Sequence, residues 1–432
     1  MTRMVTSLSA LILSIVLLVS GNAFLVTLLG VRLSMESVSA DIIGWILVCY
    51  SIGFVLGTLY VHRIISRVGH IRTFAAMAAM AAVCSLLYPM AVSEPFWALL
   101  RALSGFSVAC VLVVIESWFS SRATNTNRGT LFAIYQIVFY SSVAGGQLLI
   151  NVGEPSSFIP FSLAAVLLTV ALIPLALTRM EAPEVGVIER LSFFTLARES
   201  FTGVSGALIC GVLIGSFYAL GPVYATLIGL EISRVSTFMA SAIVAAMILA
   251  WPLGRLCDRF DRRRVMYWVA LTAAAAAGGV VFFGADRLWL LTLLVGLFTG
   301  LSATLYPIAV AITNDRMASN RIVAASATLL LSYGIGSVIG PIVMAQLVAV
   351  LGPQGLFIGN AGFLLLLAVA TGYRIASTLD VPVADQEHFV PAMPESSAVL
   401  TEIDPRNEGF HDSHETPPPQ SPDQNPESGR PA

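Results

Sequence analysis

"PLGRLCDRFDRRRVM", residues 252–266, sets five arginines and two aspartates within fifteen positions. The chain on either side is almost wholly apolar for a length close to the ~20 residues that cross a bilayer as a helix. A charge cluster between two such stretches reads as a loop at a membrane surface. The same alternation, long apolar run then short basic loop, recurs along most of the sequence.

Composition agrees. The 432 residues are 57% hydrophobic and 11% charged, with a mean hydropathy of +0.85, whereas soluble domains carry roughly 25% charged residues. A net charge of -2 excludes a nucleic-acid binder, which needs surplus cations to neutralise phosphates. All 23 basic residues are arginine, so lysine-based covalent chemistry is excluded. Cys49, Cys84, Cys110, Cys210 and Cys257 are scattered singly, without the close spacing of a zinc site or disulfide framework. They read as small buried hydrophobes, and neither a metal nor a cofactor is expected.

Apolar stretches long enough to span fall at about 5–30, 41–61, 73–93, 96–118, 130–152, 158–178, 201–228, 235–254, 265–284, 288–313, 322–351 and 355–378, which predicts an all-α integral membrane protein of twelve helices. The first is long, lacks a small-x-small cleavage site and opens a series of like spans, so it reads as a retained helix. Residues 379–432, ending "HETPPPQSPDQNPESGRPA", are too polar and proline-rich to form a core and predict a disordered tail. With the N-terminus inside, 17 arginines fall on inner loops and helix ends against three outside, Arg32, Arg234 and Arg287. That asymmetry sets both termini in the cytoplasm. The expected location is a bacterial plasma (inner) membrane, multi-pass.

The twelve spans divide into residues 1–178 and 201–378 about a central cytoplasmic loop, 179–200. "TLLGVRLS" (Thr27–Ser34) is echoed by "TLIGLEIS" (Thr226–Ser233). Each half then carries a glycine before a basic loop, Gly57 before "HRIISRVGHIR" and Gly254 before "RLCDRFDRRR". The two echoes share an offset near 198 residues and the same inside–outside sense in both copies, which makes a parallel repeat. Parallel six-helix repeats are a carrier architecture, with substrate held between the halves near the midplane.

Gly254, Leu256, Asp258, Arg259, Arg262 and Arg263 resemble the loop signature G-x-L-x-D-R-x-G-R-R of the major facilitator superfamily (MFS), with Asp261 where the second glycine is usual. The resemblance covers roughly residues 5–378 and implies a transporter. "ESW", "NRG", "GHIR" and "NDR" are further echoes, similar to a YcaD-like branch. Asp258 and Arg262 are four apart, so on one helical turn they share a face and predict a pair. The carboxylate can also favour the N-terminus of a neighbouring helix. Either contact would latch helix ends in one state and release them in another. The alternative is that the arginines only anchor the loop to lipid phosphates. In the first-half copy, Gly57, Arg67, Gly69 and Arg72 match but Ser66 replaces the aspartate. Glu116 is therefore the expected partner of Arg67 or Arg72.

Ionisable groups inside a membrane are costly and by default functional. Four fall within the spans: Asp41, Arg101, Glu116 and Arg374. Arg101 and Gly105 resemble an R-x-x-x-G element of the superfamily's fourth helix, which relatives link to proton transfer or substrate binding. The competing reading is an arginine snorkelling to the outer interface. Asn22 stands at a depth where drug/proton antiporters place an acid. Asn22, Arg101, Gln136, Gln147, Tyr218, Tyr306 and Tyr333 are the cavity candidates. They suit a small neutral or amphipathic solute, with Arg101 able to meet an anionic group. Gly334, Gly336, Gly340 and Pro341, in "GIGSVIGP", read as close helix packing and a hinge.

The function expected is secondary active or facilitative transport by alternating access, not enzymology. The partners are a small-molecule substrate and the bilayer, a coupling ion being left open, and the chain is expected to be monomeric. Two alternatives stand: a non-transporting receptor or scaffold on the same fold, and a magnesium-dependent lipid-phosphate enzyme built on Asp258 and Asp261. The second lacks another aspartate cluster to complete a metal site.

Overall fold

The computed structural model describes residues 2–36, 38–124, 127–178, 191–283, 287–317 and 321–378, with residues 381, 382, 386, 389, 390, 392 and 393. Arg179, Arg190, Arg406 and Arg430 lie outside the described residues, as does the rest of the tail. Twelve long apolar helices follow one another: α1 (Leu8–Met35), α2 (Ala40–Val68), α3 (His70–Met90), α4 (Glu94–Ser120), α5 (Arg128–Val152), α6 (Ile159–Leu177), α7 (Phe201–Leu227), α8 (Ile232–Arg259), α9 (Arg262–Phe283), α10 (Leu288–Asn314), α11 (Ile322–Leu351) and α12 (Gly355–Ser377). Each is long enough to span ~30 Å of hydrocarbon. A short helix, Phe193–Glu199, precedes α7 and packs on it.

The outward surface is greasy. Phe282 is 79% exposed and Val369 70%, with Leu13, Trp268 and Tyr373 also bare. A soluble protein avoids such continuous apolar exposure, and in lipid only structures whose backbone bonds close internally, such as helices, are tolerated.

Helix pairing repeats. In the first half α2 packs on α4, α1 on α5, and α3 on α4 and α6; in the second α8 packs on α10, α7 on α11, and α9 on α10 and α12. Between halves α2 meets α11, its counterpart α5 meets α8, and α1 meets α7. Each of these pairings therefore recurs six places along the chain. Small residues let the closest pairs touch. A Cβ on Gly57 would stand 2.5 Å from the Phe106 carbonyl, and one on Gly336 or Gly340 would strike the backbone of Leu208 or Val212. Gly334 faces Val55 of α2, and the Pro341 carbonyl approaches Gly44.

One face of the bundle carries the arginine loops and is called here the basic face. At its α8–α9 turn the chain corrects the expected Asp258–Arg262 pair. Helix α8 stops at Arg259 and Phe260 is extended (φ -127, ψ 159), so residues 258 and 262 belong to different helices and share no face. Asp261 instead caps α9, accepting from the Arg263 N–H at 2.8 Å. Arg262, buried, donates to Asp315 Oδ1 at 2.5 Å and to the Ala311 carbonyl at 3.4 Å. Arg263 donates to the Thr378 hydroxyl at 2.8 Å and its carbonyl at 3.3 Å. Two adjacent arginines thus hold the C-terminal ends of α10 and α12, where a cation is favoured by the helix dipole.

The first-half expectation is also corrected. Glu116 is fully buried and accepts from the Tyr135 hydroxyl at 2.5 Å, joining α4 to α5. Arg67 and Arg72 are exposed. Tyr135, which also meets Phe119 edge-on, engages the Glu116 carboxylate in place of that loop. Gly69 ends α2 with φ 85 and links straight into α3, a conformation that glycine adopts without strain.

The tail is not wholly loose from residue 379. Ala392 and Met393 are 8% and 2% exposed, and Phe389 and Val390 are half-buried against the bundle. These apolar residues sit just before the polar composition begins in earnest.

Candidate functional site

A cavity of about 220 Å³ lies between the halves, walled by α1, α2, α4, α5, α7 and α11. At about 10–15 Å³ per water on this measure, that is room for on the order of fifteen waters, hence a small solute. Most of the wall is apolar, including Leu18, Phe54, Leu112 and Leu330.

Its principal polar groups converge from four helices. Arg101, on α4 about 10 Å in from the helix start at 1.5 Å per residue, is 2% exposed. Its guanidinium lies over the Tyr50 ring of α2, 4.6 Å from the centroid. Asn22 of α1 donates to the Tyr50 hydroxyl at 3.0 Å, which leaves that hydroxyl's own proton to donate onward. Gln147 of α5 accepts from the Thr27 hydroxyl, so the end of its amide left for other partners is the N–H₂ donor. The site is rich in donors, and no carboxylate is among its lining residues.

Among the described residues Arg101 Nε and Nη1 make no hydrogen bond, and the Tyr88 hydroxyl stands near the guanidinium. Burying an ion without a counter-ion costs several kcal/mol, while a desolvated cation–π contact returns about 2 kcal/mol. The aromatic ring therefore offsets only part of that cost.

Asn22, Arg101, Gln147, Tyr218 and Tyr333 all line this cavity. Gln136 does not. It lines a separate small pocket nearer the basic face, with Tyr140 and the tail residues Ala392 and Met393. Tyr306 is 2% exposed and stands edge-on behind Tyr333, ring centroids 5.7 Å apart. Tyr50, Ser51 and Thr58 also line the cavity and were not singled out. Their signal was a polar stripe at spacings of one, seven and eight along α2, with Leu47, Phe54 and Val55 filling the same face.

Twelve membrane helices in two equivalent sets of six, around one central cavity, define a multi-pass membrane transporter. The Major Facilitator Superfamily model matches residues 5–295 and 207–402, and the chain belongs to that superfamily. Within it the chain falls in a YcaD-like branch. It is 31% identical to an uncharacterized MFS-type transporter of Enterobacter sp. (strain 638), over 87% of this chain and 97% of that one. It is also 31% identical to the uncharacterized MFS-type transporter YcaD of Salmonella arizonae, over 83% and 93%. Among solved structures, the nucleoside transporter NupG superposes with a TM-score of 0.74 at 14% identity, covering 86% of this chain and all of that one. A bacterial homologue of the human lysosomal transporter Spinster, inward-facing and occupied, gives 0.69 at 13%, covering 88% and 98%. At these identities the structures share the fold alone.

Proposed function

We propose that this protein is a secondary carrier for a small amphipathic anion, working by alternating access in a bacterial inner membrane with its basic face in the cytoplasm. The single observation that carries the reading is Arg101: a buried guanidinium on the cavity wall, short of partners, with donors from Tyr50 and Gln147 around it. A carboxylate or similar group on the solute would complete Arg101, and the apolar wall would receive the solute's body. With no carboxylate on the wall, coupling through a titrating cavity Asp or Glu forms no part of the mechanism.

Contacts across the face opposite the basic loops support an inward-facing state. Gly30 abuts Pro222, Gly44 abuts Ala345, and Asn151 donates to the Ser236 hydroxyl at 3.0 Å, closing that end.

The test is accumulation of a mixed drug and metabolite panel, read by mass spectrometry, in energised and de-energised cells lacking their main exporters. Wild type and Arg101→Gln are expressed at matched membrane levels. A singly charged amphipathic anion should move with wild type and at least tenfold less with the variant. Movement of uncharged solutes equally by both would overturn the anion reading, and a panel unmoved by folded wild type would overturn the carrier reading.

A further inference from the structure

The described part of the tail does not lie on the surface at random. It enters the mouth between the two halves at the basic face. Met393 is packed in an apolar cluster drawn mostly from the first half, and Ala392 in one that spans both halves. Together they line a pocket whose other walls are Gln136 and Tyr140 of α5, Ala246 and Ala250 of α8, and Thr304 and Pro307 of α10. Two further contacts fix the approach. The Phe389 N–H donates to Asp258 Oδ1 at 2.7 Å, and the Phe389 ring lies flush on Gly254, where a Cβ would stand 2.9 Å away. The signature glycine and aspartate of the basic loop are thus engaged by the chain's own C-terminal segment.

We propose that this mouth is a peptide-binding surface whose occupant is the part of the tail that carries Phe389, Val390, Ala392 and Met393, and that its docking arrests the carrier with the basic face open. The surface has the parts that such an occupant needs: a carboxylate for one backbone N–H, a flat glycine for an aromatic ring, and an alanine-rich slot for Ala392 and the flexible thioether of Met393. Closing the basic face brings α5 towards α8 and α10, and the space they would fill holds Ala392 and Met393. Release of the segment therefore precedes closure. The arrest rests on the alternating-access reading above; the docking does not.

Two measurements on the full chain keep these separate. In the first, Met393→Cys is alkylated with a membrane-impermeant charged maleimide in inside-out vesicles, and labelling is read by peptide-resolved mass spectrometry against the exposed position Ser66→Cys. Docking predicts labelling at least tenfold slower at residue 393, accelerated several-fold when Gly254→Leu or Asp258→Asn is added. Equal rates at 393 and 66 overturn the docking. In the second, spin labels at Ser66→Cys and Arg264→Cys, one on each half, report the width of the basic face by pulsed electron paramagnetic resonance. Phe389→Ala with Met393→Glu should add a shorter-distance population that the intact tail lacks. If labelling shows a docked tail yet the distances do not change on its release, the arrest is wrong and the segment is a structural filler. If distances fail to vary under any condition, the rocking motion itself is at fault.

Discussion

Arg101 lets a structural role and a binding role be told apart by opposite signs. A guanidinium that holds a fold together is matched by acceptors, and its removal destabilises. Arg101 has Tyr50 beneath it and, among the described residues, no hydrogen bond at Nε or Nη1, so replacing it with an apolar side chain of similar length removes an uncompensated buried charge. Arg101→Met should stabilise the solubilised protein by on the order of 1–4 kcal/mol, the range seen when buried ionic groups give way to hydrophobic ones, while abolishing transport. Thermal unfolding and uptake measured on one preparation decide it; a lowered midpoint would mean that Arg101 is structural. Tyr50→Phe makes a milder case. It removes the acceptor of the Asn22 amide and one donor to the cavity, each worth about 0.5–1.5 kcal/mol. Solute affinity should therefore fall about three- to tenfold with the ring still beneath Arg101, and an unchanged Kd would place that hydroxyl outside the binding set.

At the scale of elements, the basic loop holds helices within one half. Arg262 and Asp315 are 2% and 4% exposed at their side chains, and breaking a buried pair by removing one partner costs about 3–5 kcal/mol. Asp315→Asn should accordingly lower the unfolding midpoint steeply. Asp258→Asn, at an exposed site, should change stability by no more than about 0.5 kcal/mol while loosening the tail. Equal destabilisation by the two would return Asp258 to a structural role. The same loop shows what could be read from sequence. Helix number, the repeat and the family were legible because they rest on hydropathy and on spacing within single segments. Arg101 was legible because a charge in an apolar run is conspicuous by itself. The partner of Arg262 was not, since Asp315 lies 53 residues away and only the packing of α9 on α10 brings it near. Tyr50 was missed for a related reason: a tyrosine in an apolar helix looks like packing until Asn22 and Arg101 arrive from α1 and α4. The docked tail was hidden by the strongly polar sequence that follows it.

At the scale of the whole molecule, the charged clamps described above lie within halves, and the contacts described between halves opposite the basic face are neutral. The clamps of Arg262 and Arg263 stay inside the second half, and Glu116–Tyr135 inside the first. The named contacts that close the face opposite the basic loops are small-residue packing at Gly30 and Gly44 and one neutral hydrogen bond, Asn151 to Ser236. That bond contributes only about 0.5–1.5 kcal/mol net, so the face can part without either half unfolding, as rigid-body rocking requires. A covalent tie at this point should then stop the carrier. Asn151→Cys with Ser236→Cys, bridged by a short reducible bis-thiosulfonate, should lose at least tenfold in transport and recover with reductant, each single variant remaining active throughout. Full transport by the bridged protein would show that the two halves do not separate at α5 and α8, and that the solute reaches Arg101 by another route.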